Sequence, residues 1–286
     1  LAMQYALDAL DDPALKRPDR VLLVSPAIEI TRVAALASII DFLSIVPIPV
    51  LEKVRWQDVN PEFDPYKFNS FPVNASRQVN NATRTLRASL LRAHERGRIG
   101  ELPPVVTWQS VVDSTVGANG AAETLYGRLN GNDHRLVLFD VNRHRYLASV
   151  QRPQAGELID RLLRQQRGYT LDIVGNIDAD DSGITIRHIA PDGAETRDLP
   201  ELNWPSNLVS LGHVALPFPA DDPIYGFQPG SGRHGIPSIG SWLLRGENGA
   251  VTLTLGSLTR LRSNPFWMVV DEEVGMLVAA DLGKQR

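Results

Sequence analysis

The segment "LPPVVTWQSVVD" (102–113) decides the fold class of this chain. Its largely apolar run follows a proline pair and ends in a carboxylate, which is typical of a buried strand of a parallel sheet. Similar runs occur in "RVLLVSPAI" (20–28) and "HRLVLFDVNRHRY" (134–146), and helical patterns are predicted over 82–96 and 117–130. This alternation predicts βαβ units, and therefore an α/β fold with a mostly parallel sheet flanked by helices.

The rest of the chain adds helices and a β-rich extension. Leu1, Met3, Leu7 and Leu10 have helical spacing, so the chain begins inside a predicted helix. A further helix is predicted near 155–167. The two β-rich runs "YTLDIVGNID" and "GITIRHIAPDG" follow it and indicate a hairpin or an extension of the sheet. The tail from Ala250 predicts one strand-like run and a final helix or two.

We divide the sequence into a core, a cap and a second core segment. Residues 1–32 form the first core part, residues 33–100 a helical cap or lid, and residues 101–286 a core with a β-rich insertion at about 169–204. The apolar part of the cap, 33–54, is interrupted by an aspartate and two prolines and is too broken for a membrane span. Both a core or cap helix and a lid over a lipophilic pocket fit this stretch.

Composition excludes several classes of function. The 286 residues are 43% hydrophobic and 22% charged with a net charge of −4, which gives no basic footprint for a nucleic-acid partner. The absence of cysteine excludes disulfides, thiolate metal sites and a cysteine nucleophile. "GSGRHG" (230–235) follows a proline-rich loop rather than a strand, and "DADDSG" (178–183) lacks the final glutamate of a calcium loop. We therefore expect neither a cofactor nor a metal.

A carboxylate and three histidines are the candidate site residues. Asp113 ends a predicted strand, where ligands and catalytic groups collect in open parallel sheets, although it could equally cap the following helix. His213 follows Gly212 in "SLGHVALPFPADDPIYG" (210–226) and is the favoured general base. His144, directly after the third predicted strand, is the alternative base. His188 has the pattern of a half-exposed strand residue.

These residues resemble a family of hydrolases. "LAMQYALDAL" resembles the helix that follows the nucleophile elbow of α/β-hydrolases, in the group of serine aminopeptidases and monoglyceride lipases, and "RVLLVSPAI" resembles the next strand. "PVVTWQSVVDSTV" is similar to the acid-bearing strand and "SLGHVALPFPADDPIYG" to the histidine segment of a bacterial branch. The resemblance implies a triad acid at Asp113 and a triad histidine at His213, in the chain order Ser, Asp, His.

The resemblance also implies that the serine precedes Leu1, so the sequence would be truncated at its N-terminus. Neither Ser231 nor Ser241 lies in a G-x-S-x-G context, and we expect the 286 residues alone to be inactive. The implied function is hydrolysis of acyl or lipid-like esters, with a lipophilic small-molecule substrate. A non-catalytic binding protein or a peptidase of the same fold remains the alternative. The sequence leaves the oligomeric state and the compartment open, with a cytoplasmic location slightly favoured.

Overall fold

A computed structural model describes residues 1–29, 56–58, 71–113, 116–131, 133–223, 225–227, 245–246, 250 and 263–284. The strands are β1 (Val21–Val24), β2 (Trp56–Asp58), β3 (Phe71–Pro72), β4 (Val105–Ser110), β5 (Arg135–Phe139), β6 (Thr170–Asn176), β7 (Ile184–Ile189) and β8 (Glu195–Asp198). The α-helices are α1 (Ala2–Asp11), α2 (Val73–Glu95), α3 (Glu157–Arg164) and α4 (Trp267–Gly283). A π-helix spans Gly120–Tyr126, and short 3-10 helices span Ile99–Glu101, Arg145–Leu147 and Pro153–Gly156.

Six of these strands form one mixed sheet in the order β1-β4-β5-β6-β7-β8. The first four strands of that order are parallel, and β7 and β8 continue the sheet in antiparallel orientation. The strands β2 and β3 form a separate antiparallel pair. A mixed sheet of this kind with helices packed on it belongs to the α/β class.

Both faces of the parallel strands are buried. Along β5, Leu136 and Leu138 pack into a cluster with α1, α2, the π-helix and α3, whereas Val137 and Phe139 pack on the opposite face against α4. This alternation explains why the sequence is apolar at successive positions, since a strand covered on both sides has no solvent face. All six residues of β4 are buried for the same reason.

Charged side chains attach α4 to the sheet. Glu273 of α4 accepts a hydrogen bond from the indole Nε1 of Trp108 at 2.8 Å and forms an ion pair with Arg135. Arg135 also lies 3.4 Å from the carboxylate of Asp172, which is 2% exposed. Near the other end of α4, Asp281 accepts two hydrogen bonds from the guanidinium of Arg20. Such bidentate pairs fix orientation as well as position.

The parallel strands and the first and last helices confirm the sequence predictions. The β-rich extension is also present, but its first strand, β6, is the fourth parallel strand of the sheet. The antiparallel part therefore begins only at β7. The helix predicted over 117–130 forms as the π-helix Gly120–Tyr126.

The start of α2 was predicted wrongly. The sequence predicts this helix only over 82–96, yet α2 begins at Val73, directly after β3 at Phe71–Pro72. The first turns of α2 carry polar side chains such as those of Asn74 and Gln78, and Val79 there is 41% exposed, so the sequence shows no clear apolar spacing. The apolar cap stretch 33–54 and the strand-like run after Ala250 lie outside the described residues.

No helix in the described ranges combines the length and the apolar character that crossing a membrane requires.

The sheet core makes a direct prediction for stability. The side chain of Leu136 is 0% exposed, whereas that of Leu199 is 65% exposed. Leu136→Ala leaves a cavity in close-packed surroundings and is expected to lower the free energy of unfolding by about 2–5 kcal/mol. The matched control Leu199→Ala is expected to change it by less than about 0.5 kcal/mol. Urea unfolding of both variants measures the difference, and equal effects would contradict a core centred on β5.

Candidate active site

The candidate site lies at the carboxyl edge of the parallel strands. Because β1, β4 and β5 are parallel, the residues that follow them meet at one edge of the sheet. The segment 207–214 returns from the far side of the sheet and runs along this edge. It brings His213 to the residues that follow β4.

Asp113 is a buried carboxylate that both accepts a backbone hydrogen bond and contacts the imidazole of His213. Its Oδ1 accepts a hydrogen bond from the backbone N–H of Val116 at 3.0 Å. Its Oδ2 lies 2.9 Å from Nδ1 of His213 and accepts a hydrogen bond from Nε2 of Gln109 at 3.4 Å. The side chain is 1% exposed. Asp113 therefore caps the following turn and contacts the imidazole at once, so the two interpretations of the sequence are compatible.

The imidazole of His213 presents one nitrogen to this carboxylate and is itself 31% exposed. A carboxylate oxygen only accepts hydrogen bonds, so the contact favours the tautomer with the proton on Nδ1. Nε2 then carries the free lone pair and has no hydrogen-bond partner within the part of the chain that the structure describes. An imidazole oriented by a buried acid, with Nε2 unprotonated, is the arrangement of a general base.

Two side chains at the ends of β4 and β5 hold the segment that carries His213. The amide Nδ2 of Asn142, which follows β5, donates to the carbonyl of Leu208 at 2.9 Å. The hydroxyl of Ser110, the last residue of β4, donates to the carbonyl of Leu211 at 2.8 Å. All four residues are fully buried. The segment therefore passes the end of β5 at Leu208 and then the end of the neighbouring strand β4 at Leu211.

The residue after His213 is held from two further sides. The backbone N–H of Val214 donates to the hydroxyl oxygen of Ser25 at 2.9 Å, and its carbonyl accepts from Nδ2 of Asn264 at 3.0 Å. Asn264 is itself fixed, because its Oδ1 accepts the backbone N–H of Phe266 at 3.0 Å, just before α4. Val214 and Asn264 are both 0% exposed.

Ser25 has an unusual backbone conformation. Its φ is 45°, which makes it the one non-glycine residue with positive φ in the described ranges. Left-handed backbone costs a non-glycine residue on the order of 1 kcal/mol. The backbone N–H of Ser25 donates to the carbonyl of Trp108 at 2.9 Å, so the turn is fixed to β4 directly after β1 ends.

His144, the alternative base, does not approach Asp113. Its Nδ1 accepts the backbone N–H of Tyr146 at 3.4 Å, and its ring centroid lies 4.3 Å from that of Tyr146. The imidazole thus caps the short helix Arg145–Leu147. His144 therefore lacks the contact that His213 makes with Asp113.

His188 belongs to a second histidine–carboxylate cluster. On β7, its Nδ1 lies 2.9 Å from the buried carboxylate of Asp172 and its Nε2 lies 3.2 Å from Asp198. The contact with Asp172 is the main cause that raises the pKa of His188, against a desolvation effect that lowers it. Both ring nitrogens are occupied, so His188 has no nitrogen left to accept a proton from a substrate. It is half-exposed, as the sequence predicts.

The sequence singled out Asp113 and His213, which the structure brings together, but it missed the residues that hold them. Ser25, Ser110 and Asn264 act through single hydrogen bonds to distant backbone, which leave no periodic pattern. Their only signals were local: Ser25 precedes a proline at a strand end, and Asn264 precedes a helix start.

The described residues contain no group of three or more side chains that could ligate a metal ion. In the turn 178–183, Asp178 and Asp181 accept backbone N–H groups and Asp180 pairs with Arg145, so these carboxylates order the turn between β6 and β7. The glycine-rich stretch 230–235, together with Ser231, and also Ser241, lie outside the described residues.

No protein-family model, curated protein or solved structure matches this chain.

The His188 cluster predicts a pH dependence of stability. Because the folded protein raises the pKa of His188 above its ordinary value of 6.5, the stabilisation is complete below that pH. It is lost as the pH rises through the raised pKa. His188→Gln is expected to lower the free energy of unfolding by up to about 1 kcal/mol at pH 6 and by less at pH 9. Urea unfolding at both pH values measures the change, and a deficit that grows with pH would contradict this assignment.

Proposed function

We propose that this protein is part of a serine hydrolase of the α/β-hydrolase fold that cleaves carboxylic esters by acyl transfer to water. One contact carries the proposal: Nδ1 of His213 lies 2.9 Å from the buried carboxylate of Asp113 at the carboxyl edge of the parallel strands. A base and the group that orients it, held at this distance, form the acid–base half of a catalytic triad.

In the proposed reaction, Nε2 of His213 accepts the proton of a serine hydroxyl as that oxygen attacks the ester carbonyl. The imidazolium then returns the proton to the leaving alcohol, which departs as the acyl-enzyme forms. Water, deprotonated by the same nitrogen, attacks the acyl carbonyl, and the imidazolium returns that proton to the serine oxygen as the ester bond breaks and the carboxylic acid leaves. Asp113 keeps the Nδ1 proton in place and stabilises the imidazolium at both stages.

The serine is proposed to precede Leu1. The sequence of α1 resembles the helix after a nucleophile elbow, and Met3, Leu7 and Leu10 pack this helix against the core that holds β1 and β4. The strand β1 pairs with β4, the strand that precedes Asp113, and this agrees with the order of elements in that fold.

The proposed roles predict large losses of activity. Measured on a form of the protein that includes the residues before Leu1, Asp113→Asn and His213→Ala are each expected to lower kcat for ester hydrolysis by about 10⁴-fold. His144→Ala is the matched control and should retain activity, because His144 contacts Tyr146 instead of Asp113.

Retained hydrolysis in His213→Ala would refute the assignment of the base. The absence of any hydrolysis in the unsubstituted protein that carries the upstream residues would refute the enzymatic proposal. It would favour a binding protein of the same fold.

The apolar stretch 33–54 supports a lipophilic substrate. An acyl chain gains about 0.8 kcal/mol for each methylene that it buries in an apolar pocket. Medium-chain acyl esters are therefore expected to show a higher kcat/KM than acetyl esters or cationic peptide amides. Steady-state kinetics on a series of p-nitrophenyl esters and on aminoacyl p-nitroanilides measures this preference. Faster turnover of the anilides would instead indicate a peptidase.

A further inference from the structure

Ser25 combines a strained backbone with one long-range hydrogen bond. Its φ of 45° places it in the left-handed region, and its hydroxyl oxygen receives the backbone N–H of Val214 at 2.9 Å. A residue held in such a conformation commonly lies at a functional site, where the surrounding structure maintains the strain. The strain at Ser25 therefore indicates that its contact with Val214 has a functional role.

The contact lies one residue from the proposed base. Since Val214 directly follows His213, its N–H belongs to the peptide that joins the two residues. The Val214 carbonyl is bound by Asn264, so the backbone after His213 has one partner at the end of β1 and another at the start of α4. The side chain of His213 is restrained separately by Asp113.

We infer that Ser25 is a positioning residue, whose hydroxyl fixes the His213–Val214 peptide and thereby holds the imidazole against Asp113. The catalytic consequence of this role rests on the proposed function. Val214 is fully buried, so its N–H has no water to replace the Ser25 oxygen. Without this acceptor the peptide must rotate or shift to find another partner. The imidazole attached to it then moves relative to Asp113.

Such a movement of the imidazole is expected to lower the catalytic rate strongly. Displacing a catalytic group by about 1 Å can lower the rate by about 10²-fold even when the change lies outside the reacting atoms. Substrate binding does not depend on the tautomer of His213, so the loss belongs to kcat rather than to KM.

The first test measures directly which nitrogen of the His213 imidazole carries the proton, and it does not require hydrolytic activity. In protein labelled with ¹⁵N at histidine, the ring nitrogen shifts of His213 report which nitrogen carries the proton, and His213→Gln identifies the resonances. We expect the Nδ1–H tautomer in the unsubstituted protein and a mixture of tautomers in Ser25→Ala and in Ser25→Gly. Glycine removes the hydroxyl and also relieves the left-handed strain. Ser25→Gly therefore remains a folded test if Ser25→Ala does not fold.

Ser182→Ala is the matched control, because it removes a serine hydroxyl whose exposed bond to Asn203, at 3.4 Å, involves neither His213 nor Val214. The control should leave the tautomer of His213 unchanged. An unchanged tautomer in both Ser25 variants would overturn the inference, even if the two variants were less stable.

The second test measures kinetics on the form that includes the residues before Leu1. Ser25→Gly is expected to lower kcat by about 10²-fold at a KM within twofold of the unsubstituted value. Lost activity with an intact Nδ1–H tautomer would overturn the positioning role and indicate that Ser25 acts on the substrate itself. A protein without hydrolytic activity would refute the proposed function, whereas the tautomer measurement would still decide the role of Ser25.

Discussion

The parallel alignment of β1, β4 and β5, buried on both faces, is the constraint from which the site follows. Each strand ends at the same edge of the sheet, and the backbone beyond each end must turn. Ser25, Ser110 and Asn142 lie at or just beyond these strand ends, and each one forms a hydrogen bond with the returning segment 207–214. Because strand spacing fixes the separation of these anchors, it also fixes the path of the segment that carries His213.

The two histidine–carboxylate clusters differ in how the two ring nitrogens of the imidazole are occupied. His188 lies between two carboxylates, so its cationic form is stabilised and both nitrogens are used. His213 contacts the carboxylate of Asp113 through Nδ1, and its Nε2 has no hydrogen-bond partner among the described residues. The difference lies in the local backbone. The strand β7 lies between β6 and β8, so the side chain of His188 has a neighbouring strand on each side. The segment that carries His213 runs along the edge of the sheet and has one open side.

The sequence predicted the elements whose signal is the burial of apolar side chains. The strands β1, β4 and β5 were recognised because their residues are largely apolar and mostly buried, and Asp113 stood out as a carboxylate at the end of such a run. The first turns of α2 were missed because polar residues there carry no apolar spacing. The choice between His144 and His213 depended on which loop returns to β4. Contacts between residues so far apart in the chain are set by packing rather than by local pattern.

The hydrogen bond from Asn264 to the carbonyl of Val214 joins residues 50 positions apart, and the bond from Trp108 to Glu273 joins residues 165 apart. During synthesis, β4 and Asp113 emerge from the ribosome long before either α4 or its leading asparagine exists. Asp113 is therefore synthesised early, while the backbone that carries His213 gains its restraint from Asn264 only when the region around residue 264 has been made. A polypeptide released before that point would hold both residues but would lack one of the two hydrogen bonds that fix Val214.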